Sequence, residues 1–308
     1  MKAIMYHYVR KFNKDLPNFR FLCVNEFKKQ LDFFEKEYGF VSKNEWDNYI
    51  KGHGMKNGKG KIILTFDDAI NDSYDYIFPE LIKRKLWGIF YIPTQPYIYH
   101  TLLDIHKIHL LCGAFDGQKL MECLSKLLTD EMMSEINKKN FQNETYTKQK
   151  NDFGVTEFKR VLNYFIPYNY RESMINEIAL QLNYVFNINN FYISPSNLVK
   201  MKQEGMIIGA HSINHIMMSE LTRDEQYVQI NDSFEYIEKI KCVTHKTYCH
   251  PFGGFHSFNK NTIDLLSKAN VAYSFNVESR DIEENDINKS RHSLPRFDCS
   301  EFPHGQIS

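Results

Sequence analysis

Three short stretches of the chain combine residue types that could do chemistry. The first is Asp67-Asp68. Adjacent carboxylates repel, and burying them is costly unless a cation or hydrogen-bond donors are at hand. Backbone alternation sends the two side chains in different directions, so one can bind a metal while the other handles a proton. The second is His211-Ser212-Ile213-Asn214-His215. Histidines four apart meet on one face of a helical turn and offer two imidazoles to one metal. The third is Tyr248-Cys249-His250-Pro251-Phe252-Gly253-Gly254. A proline and two glycines fix an unusual turn, which can aim a main-chain N–H at a developing oxyanion.

Each stretch is commonplace alone: an acidic pair is most often a solvated turn, HxxxH a surface helix start, and Pro-Gly an ordinary loop. Their shared context is more informative, because each follows a run that reads as a buried strand. In a parallel sheet that puts all three at one rim, where α/β folds build their sites. One Asp and two His supply three protein ligands and leave positions open for water and substrate.

The surrounding pattern supplies such a sheet. Residues 3–9 form a short β-favouring run, and 25–38 carry Phe27, Leu31, Phe34 and Tyr38 at helical spacing before Gly39. Ser42 to Glu45 matches a capping box that opens a short helix. Residues 51–60 hold four glycines and read as a loop. A strand at 61–66, a helix at about 73–85 and a strand at 86–92 make a strand–helix–strand unit, hence parallel pairing. Strand signals then nearly stop. Helices are expected within 102–111, 120–136, 158–165 and 173–186. Alternation resumes from Pro195, with helix 196–204, strand 206–210, helix 222–240, strand 246–250, helix 260–269 and strand 271–275. The expected organisation is 1–98 as the first part of a barrel domain, 99–192 as a helical insert beside the cleft, and 193–308 as the second part.

Composition narrows the function. The chain has 308 residues, with 38 Lys+Arg against 38 Asp+Glu, so its formal net charge is zero. A protein that works by gripping phosphate backbones is normally basic, so no nucleic-acid partner is expected. No apolar run reaches the roughly 20 residues that a bilayer span requires. The opening MKAIMYHYVR has charge but no apolar run of signal-peptide length, and the six scattered cysteines form no CxxC pair. A cytoplasmic protein with reduced thiols is the expectation.

The ordered motifs resemble those of the polysaccharide deacetylases, carbohydrate esterase family four, with its NodB-like homology domain. Thr65-Phe66-Asp67-Asp68 is similar to the family's TFDD, His211-Ser212-x-x-His215 to its H(S/T)xxH, and Pro251-Phe252-Gly253 to the end of its third motif. Tyr6-His7 is similar to the MYH start of many bacterial members. The resemblance implies an α/β fold, a distorted (β/α)7 barrel here carrying a helical insertion. It implies that Asp67 is the catalytic base, that Asp68, His211 and His215 bind one divalent metal ion, zinc by preference, and that the Phe252 main-chain N–H holds the oxyanion.

The chain also departs from that pattern. Ala69 stands where glycine is usual, Cys249 stands where an arginine contacts the catalytic Asp, and the late Leu-x-His of the general acid has no clear counterpart. Arg296 is expected to replace the missing arginine as partner of Asp67. His292 is the catalytic acid candidate, with His250, His256 and His7 also open. His250, His7 and His106 are candidate substrate contacts. In the insert, Asp104, His106 and His109 form a second cluster that reads as a helix polar face or a cleft wall.

The expected activity is hydrolysis of a linear amide: a metal-dependent N-deacetylase acting on an amino sugar or its nucleotide-, lipid- or oligosaccharide-linked conjugate, in surface-glycan biosynthesis. A decayed carbohydrate-binding protein and an amidohydrolase for another N-acyl group are the alternatives.

Overall fold

A computed structural model describes residues 1–54, 60–129, 132–133, 145 and 151–307. In chain order the elements are β1 (Lys2–Tyr6), β2 (Val9–Arg10), β3 (Leu22–Cys23), α1 (Val24–Glu37), α2 (Lys43–Ile50), β4 (Ile62–Phe66), α3 (Phe78–Lys83), β5 (Ile89–Ile92), α4 (Gln95–Tyr99), α5 (Asp104–Ala114), α6 (Gly117–Leu127), α7 (Phe153–Arg160), α8 (Tyr168–Gln181), α9 (Pro195–Gln203), β6 (Ile207–Ala210), α10 (Arg223–Lys239), β7 (Thr247–Cys249), α11 (Lys260–Lys268), β8 (Tyr273–Phe275), α12 (Glu284–Lys289) and β9 (Phe297–Asp298). They fall into two compact units, one of residues 1–11, 21–101 and 189–308, the other of 12–20 and 102–188.

The first unit is built on one seven-stranded parallel sheet, in the order β8-β7-β6-β5-β4-β1-β9. Its central strands are buried along their whole length, Ile-Ile-Leu-Thr-Phe in β4, Ile-Phe-Tyr-Ile in β5 and Ile-Ile-Gly-Ala in β6. Continuous apolar runs are the signature of a parallel sheet covered on both faces. Alternation sorts them into two cores. Ile62, Leu64, Phe66, Phe90 and Ile208 pack with Phe27, Leu31 and Phe34 of α1 and Ile230, Phe234 and Ile237 of α10. Ile63, Ile89, Tyr91, Ile207, Cys249, Tyr273 and Phe275 pack on the other side with Trp46 and Tyr49 of α2. Gly209 is required in β6: a Cβ there would lie 2.5 Å from the Tyr91 ring and 2.8 Å from Thr247 Cγ2.

The last segment joins the two edges of the sheet. Main-chain bonds run between Leu294 and both Ser274 and Asn276, and from Glu278 to Arg296, along the β8 edge. From the next residue β9 pairs in parallel with β1. This two-residue strand is the seventh of the sheet, and it is too short for the sequence pattern to reveal.

The second unit is helical, with α5, α6, α7 and α8. Expected helices are present within 102–111, 158–165 and 173–186. That at 120–136 begins earlier, at Gly117, and ends at Leu127, with its remainder partly outside the described residues. Among the described residues no helix is long and apolar enough to cross a membrane.

Candidate active site

Asp67, His211 and His250 each occupy the first position beyond a strand, at the carboxyl ends of β4, β6 and β7. Each continues its ladder by one bond: Asp67 N–H donates to Tyr6, His211 N–H to Ile92 and His250 N–H to Phe275. The chain then leaves the sheet abruptly. Asp68 and Ala69 take left-handed conformations, φ 74° and 55°. That is why a glycine-like position follows the acidic pair, and Ala69 fills it at some conformational cost.

The His211–His215 stretch is not the helical turn expected from its spacing. Ser212 and His215 are left-handed, φ 60° and 57°, so the segment is a tight loop. The Ser212 hydroxyl accepts from His215 N–H at 3.0 Å, and Gln229 Oε1 on α10 accepts from Ile213 N–H at 3.0 Å. Thr94 and Gln95 donate to the carbonyls of Ser212 and Ile213. So held, the two imidazoles stand 4.8 Å apart, ring centre to ring centre, at 82°.

Asp68, His211 and His215 converge. Asp68 Oδ1 lies 3.6 Å from His211 Nε2 and 3.7 Å from His215 Nε2. All three side chains are buried. These separations exceed a hydrogen bond but suit ligand atoms sharing one ion. Tetrahedral ligands at about 2.1 Å are roughly 3.4 Å from one another. The other ring nitrogen of His211, Nδ1, is 2.8 Å from the Cys249 carbonyl. A carbonyl can only accept, so Nδ1 carries the proton and Nε2 offers its lone pair to Asp68's side, the tautomer a metal ligand needs. The donor set therefore fits a divalent cation. A second trio, Asp67, His211 and Cys249, is also close enough to share an ion. There a cation would meet the Arg296 guanidinium, which rules it out on charge.

Arg296 is fully buried, and its fork meets the Asp67 carboxylate twice, Nη1 to Oδ1 at 2.9 Å and Nη2 to Oδ2 at 2.8 Å. The rings of Tyr91 and Phe275 flank it at 6.0 and 5.8 Å. Burial pushes the Asp67 carboxyl up, but the Arg296 charge, helped by His211 and by the Arg296 hydrogen bonds, more than offsets it and holds Asp67 below the usual carboxylate range. Burial also pushes the Cys249 thiol well up, so it stays protonated.

Phe252 and Gly253 are both left-handed, φ 62° and 73°. The turn lays the Phe252 ring 5.1 Å from that of His215. Gly253 has no alternative, since a Cβ would strike Val277 Cγ2 at 2.3 Å.

The histidines separate by environment. His250 is buried, donates Nε2–H to the His292 carbonyl at 2.8 Å and stacks on Phe258 at 3.9 Å; burial pushes its pKa down to about 3. His292 is pushed down to about 4, by burial and then by Arg291. Both imidazoles are neutral at neutral pH, so neither carries the extra proton that a ready acid would give. His106 on α5 is fully buried, and its ring lies 6.3 Å from that of His109. His256 is exposed. His7 is half-buried and follows Tyr6, the register partner of Phe66, so it stands across from Asp67, whose carboxyl it helps to lower. Sequence reading assigns Thr65 and Gln229 no role at the site, and marks Cys249 only as the residue standing in the place of an arginine. A threonine inside an otherwise apolar buried strand was the available signal for Thr65; mid-helix Gln229 had none.

Residues 166–274, which include His211, His215 and the Pro251–Gly254 turn, match the family model described as polysaccharide deacetylase. Over that span the chain is similar to the polysaccharide deacetylases. The solved structures agree on its fold. The Streptococcus pyogenes deacetylase PplD, in complex with acetate, is 15% identical over 97% of this chain and 91% of its own, with a TM-score of 0.58. IcaB from Ammonifex degensii is 15% identical over 96% and 90%, with a TM-score of 0.54. The BpsB deacetylase domain from Bordetella bronchiseptica is 10% identical over 96% and 94%, with a TM-score of 0.51. No curated protein matches the chain in sequence. At these identities the likeness to the solved structures is one of fold. Asp67 and Asp68 lie outside the matched span, and it is the geometry that joins them to His211 and His215.

Proposed function

We propose that the chain is a metal-dependent hydrolase that removes an N-acetyl group from an amino sugar or its conjugate during the building of a surface glycan. The observation that carries the reading is the convergence of Asp68, His211 and His215 beside an Asp67 held charged by Arg296. Asp68, His211 and His215 hold the cation; two imidazoles and one carboxylate suit zinc. When bound, the cation supplies electrophilic polarisation of the amide carbonyl.

The protein's own groups do the rest. Asp67 takes a proton from the attacking water as the new C–O bond forms. The Phe252 main-chain N–H donates to the oxygen that gains charge on the tetrahedral carbon. The C–N bond then breaks, acetate leaves, and the amine receives a proton from a histidine. We assign that step to His7, since His250 and His292 are held neutral and His7 is near enough to Asp67 to act on its carboxyl. The acetate in PplD is the product such a reaction releases. The cysteines are all free, which accords with a reducing compartment, and we place the reaction in the cytoplasm.

The test is elemental analysis combined with acetate release from a panel of nucleotide-, lipid- and oligosaccharide-linked N-acetyl amino sugars. The expected result is one equivalent of a divalent metal, and release from at least one substrate that a chelator abolishes. A metal-loaded protein that frees acetate from none of them overturns the reading.

A further inference from the structure

A guanidinium has five N–H donors, and in a fully buried arginine each needs an acceptor. Arg296 meets that requirement completely. Nε donates to the Asn276 carbonyl at 3.1 Å, Nη1 to Thr65 Oγ1 at 3.0 Å and Asp67 Oδ1 at 2.9 Å, and Nη2 to Asp67 Oδ2 at 2.8 Å. The fifth donor, the second N–H of Nη2, has one acceptor: Cys249 Sγ, at 2.9 Å. The same sulfur sits 3.4 Å from Asp67 Oδ2, within reach of its S–H. The main chain of Cys249 serves the other half of the site, because its carbonyl accepts from His211 Nδ1. One fully buried residue thus touches the base, the partner of the base and a metal-facing imidazole.

We propose that Cys249 is a positioning residue: its thiol holds the fifth N–H of Arg296, and so the angle of the Arg296–Asp67 fork, while its carbonyl holds His211. Cys249 touches no substrate atom in this role; it acts through Asp67. The division between side chain and main chain makes the idea testable, because a side-chain substitution leaves the carbonyl in place. The kinetic part rests on the hydrolase reading above.

The experiment compares Cys249→Ala and Cys249→Ser. Alanine removes the acceptor and leaves the fifth donor of Arg296 with none. Serine keeps a proton to give to Asp67 and an oxygen to accept from Arg296. Expected for Cys249→Ala is a fall in kcat of about tenfold or more, with KM within about twofold and metal content unchanged, since a small misplacement of a catalytic group costs this much or more. Expected for Cys249→Ser is recovery to within about threefold of the parent, on the same grounds. Simple packing predicts another order, with the buried hydroxyl no better than the methyl. Equal loss in both variants, or an alanine variant with parental kcat, overturns the proposal. Should Cys249→Ala not fold, Cys249→Ser decides alone: near-parental kcat supports the role, and a tenfold loss overturns it. Crystal structures of the parent and Cys249→Ala give a readout independent of turnover. A turned Asp67 carboxylate plane in a protein that frees no acetate would sink the hydrolase reading and leave the positioning role standing; an unmoved fork would sink the role.

Discussion

Arg296 and Asp67 lie 229 positions apart in the chain, yet the guanidinium and the carboxylate are joined by two hydrogen bonds of 2.8 and 2.9 Å in a fully buried site. A planar fork of this kind fixes both the charge and the direction of the carboxylate, which a point-charge ammonium does not. Arg296→Lys is therefore expected to lower turnover by about one to two orders of magnitude with metal retained, and Arg296→Ala by at least as much. Steady-state kinetics beside elemental analysis checks this. Parental turnover in Arg296→Ala rules out the role.

Asp67 and Asp68, adjacent in sequence, are expected to fail differently. Asp67→Asn keeps the metal and loses roughly 100-fold or more in turnover, the scale for a missing general base. Asp68→Ala and His215→Ala lose the metal itself. Titration with zinc followed by calorimetry separates the two classes; unchanged affinity in both Asp68→Ala and His215→Ala removes the assigned site.

How the sequence foreshadows this site depends on the range of the interaction. Asp67, Asp68, His211 and His215 are visible because strand ends and short spacings are local. The loop geometry is not. The spacing of His211 and His215 points to a helical turn, whereas Ser212 and His215 are left-handed, a choice set by Gln229 and by the β5 rim. The strand β9 is two residues long and exists because β1 offers it an edge, so no periodicity announces it. His250 and His292 look like proton carriers in sequence. Burial, a property of the folded chain, makes them neutral.

These two histidines give a pH prediction. Their folded pKa values, about 3 and about 4, lie below the ordinary histidine value. The unfolded chain therefore binds more protons than the folded one across that window, and stability falls as pH drops from about 6.5 toward 4. In His292→Gln the slope of the urea midpoint against pH should be shallower across this range. An unchanged slope refutes the burial argument.

Gly209→Ala tests the packing behind the arginine. The new methyl would meet the Tyr91 ring at 2.5 Å, and Tyr91 flanks Arg296. Overpacking of this kind costs about 1–3 kcal/mol. Both the melting temperature and the turnover should drop, as differential scanning calorimetry and kinetics on the same sample can show. A loss of stability with parental turnover would detach Tyr91 from the site.

His7→Ala is expected to reduce turnover by about 100-fold on an amide while sparing an activated ester, whose leaving group needs no proton. Equal losses on both substrates would assign His7 elsewhere.

The seam between β8 and β1 also sets an order of events during synthesis. The ribosome makes Asp67 early and Arg296 late, and domains generally begin to fold as the chain emerges. Until the segment from Leu294 to Asp298 docks, the base has no partner and the sheet has two open edges. A contact of such long sequence separation is slow to form. The Asp67 pairing therefore waits on this docking, so a nascent chain that has not yet delivered Arg296 can assemble most of its sheet and still leave the Asp67 carboxylate without its fork.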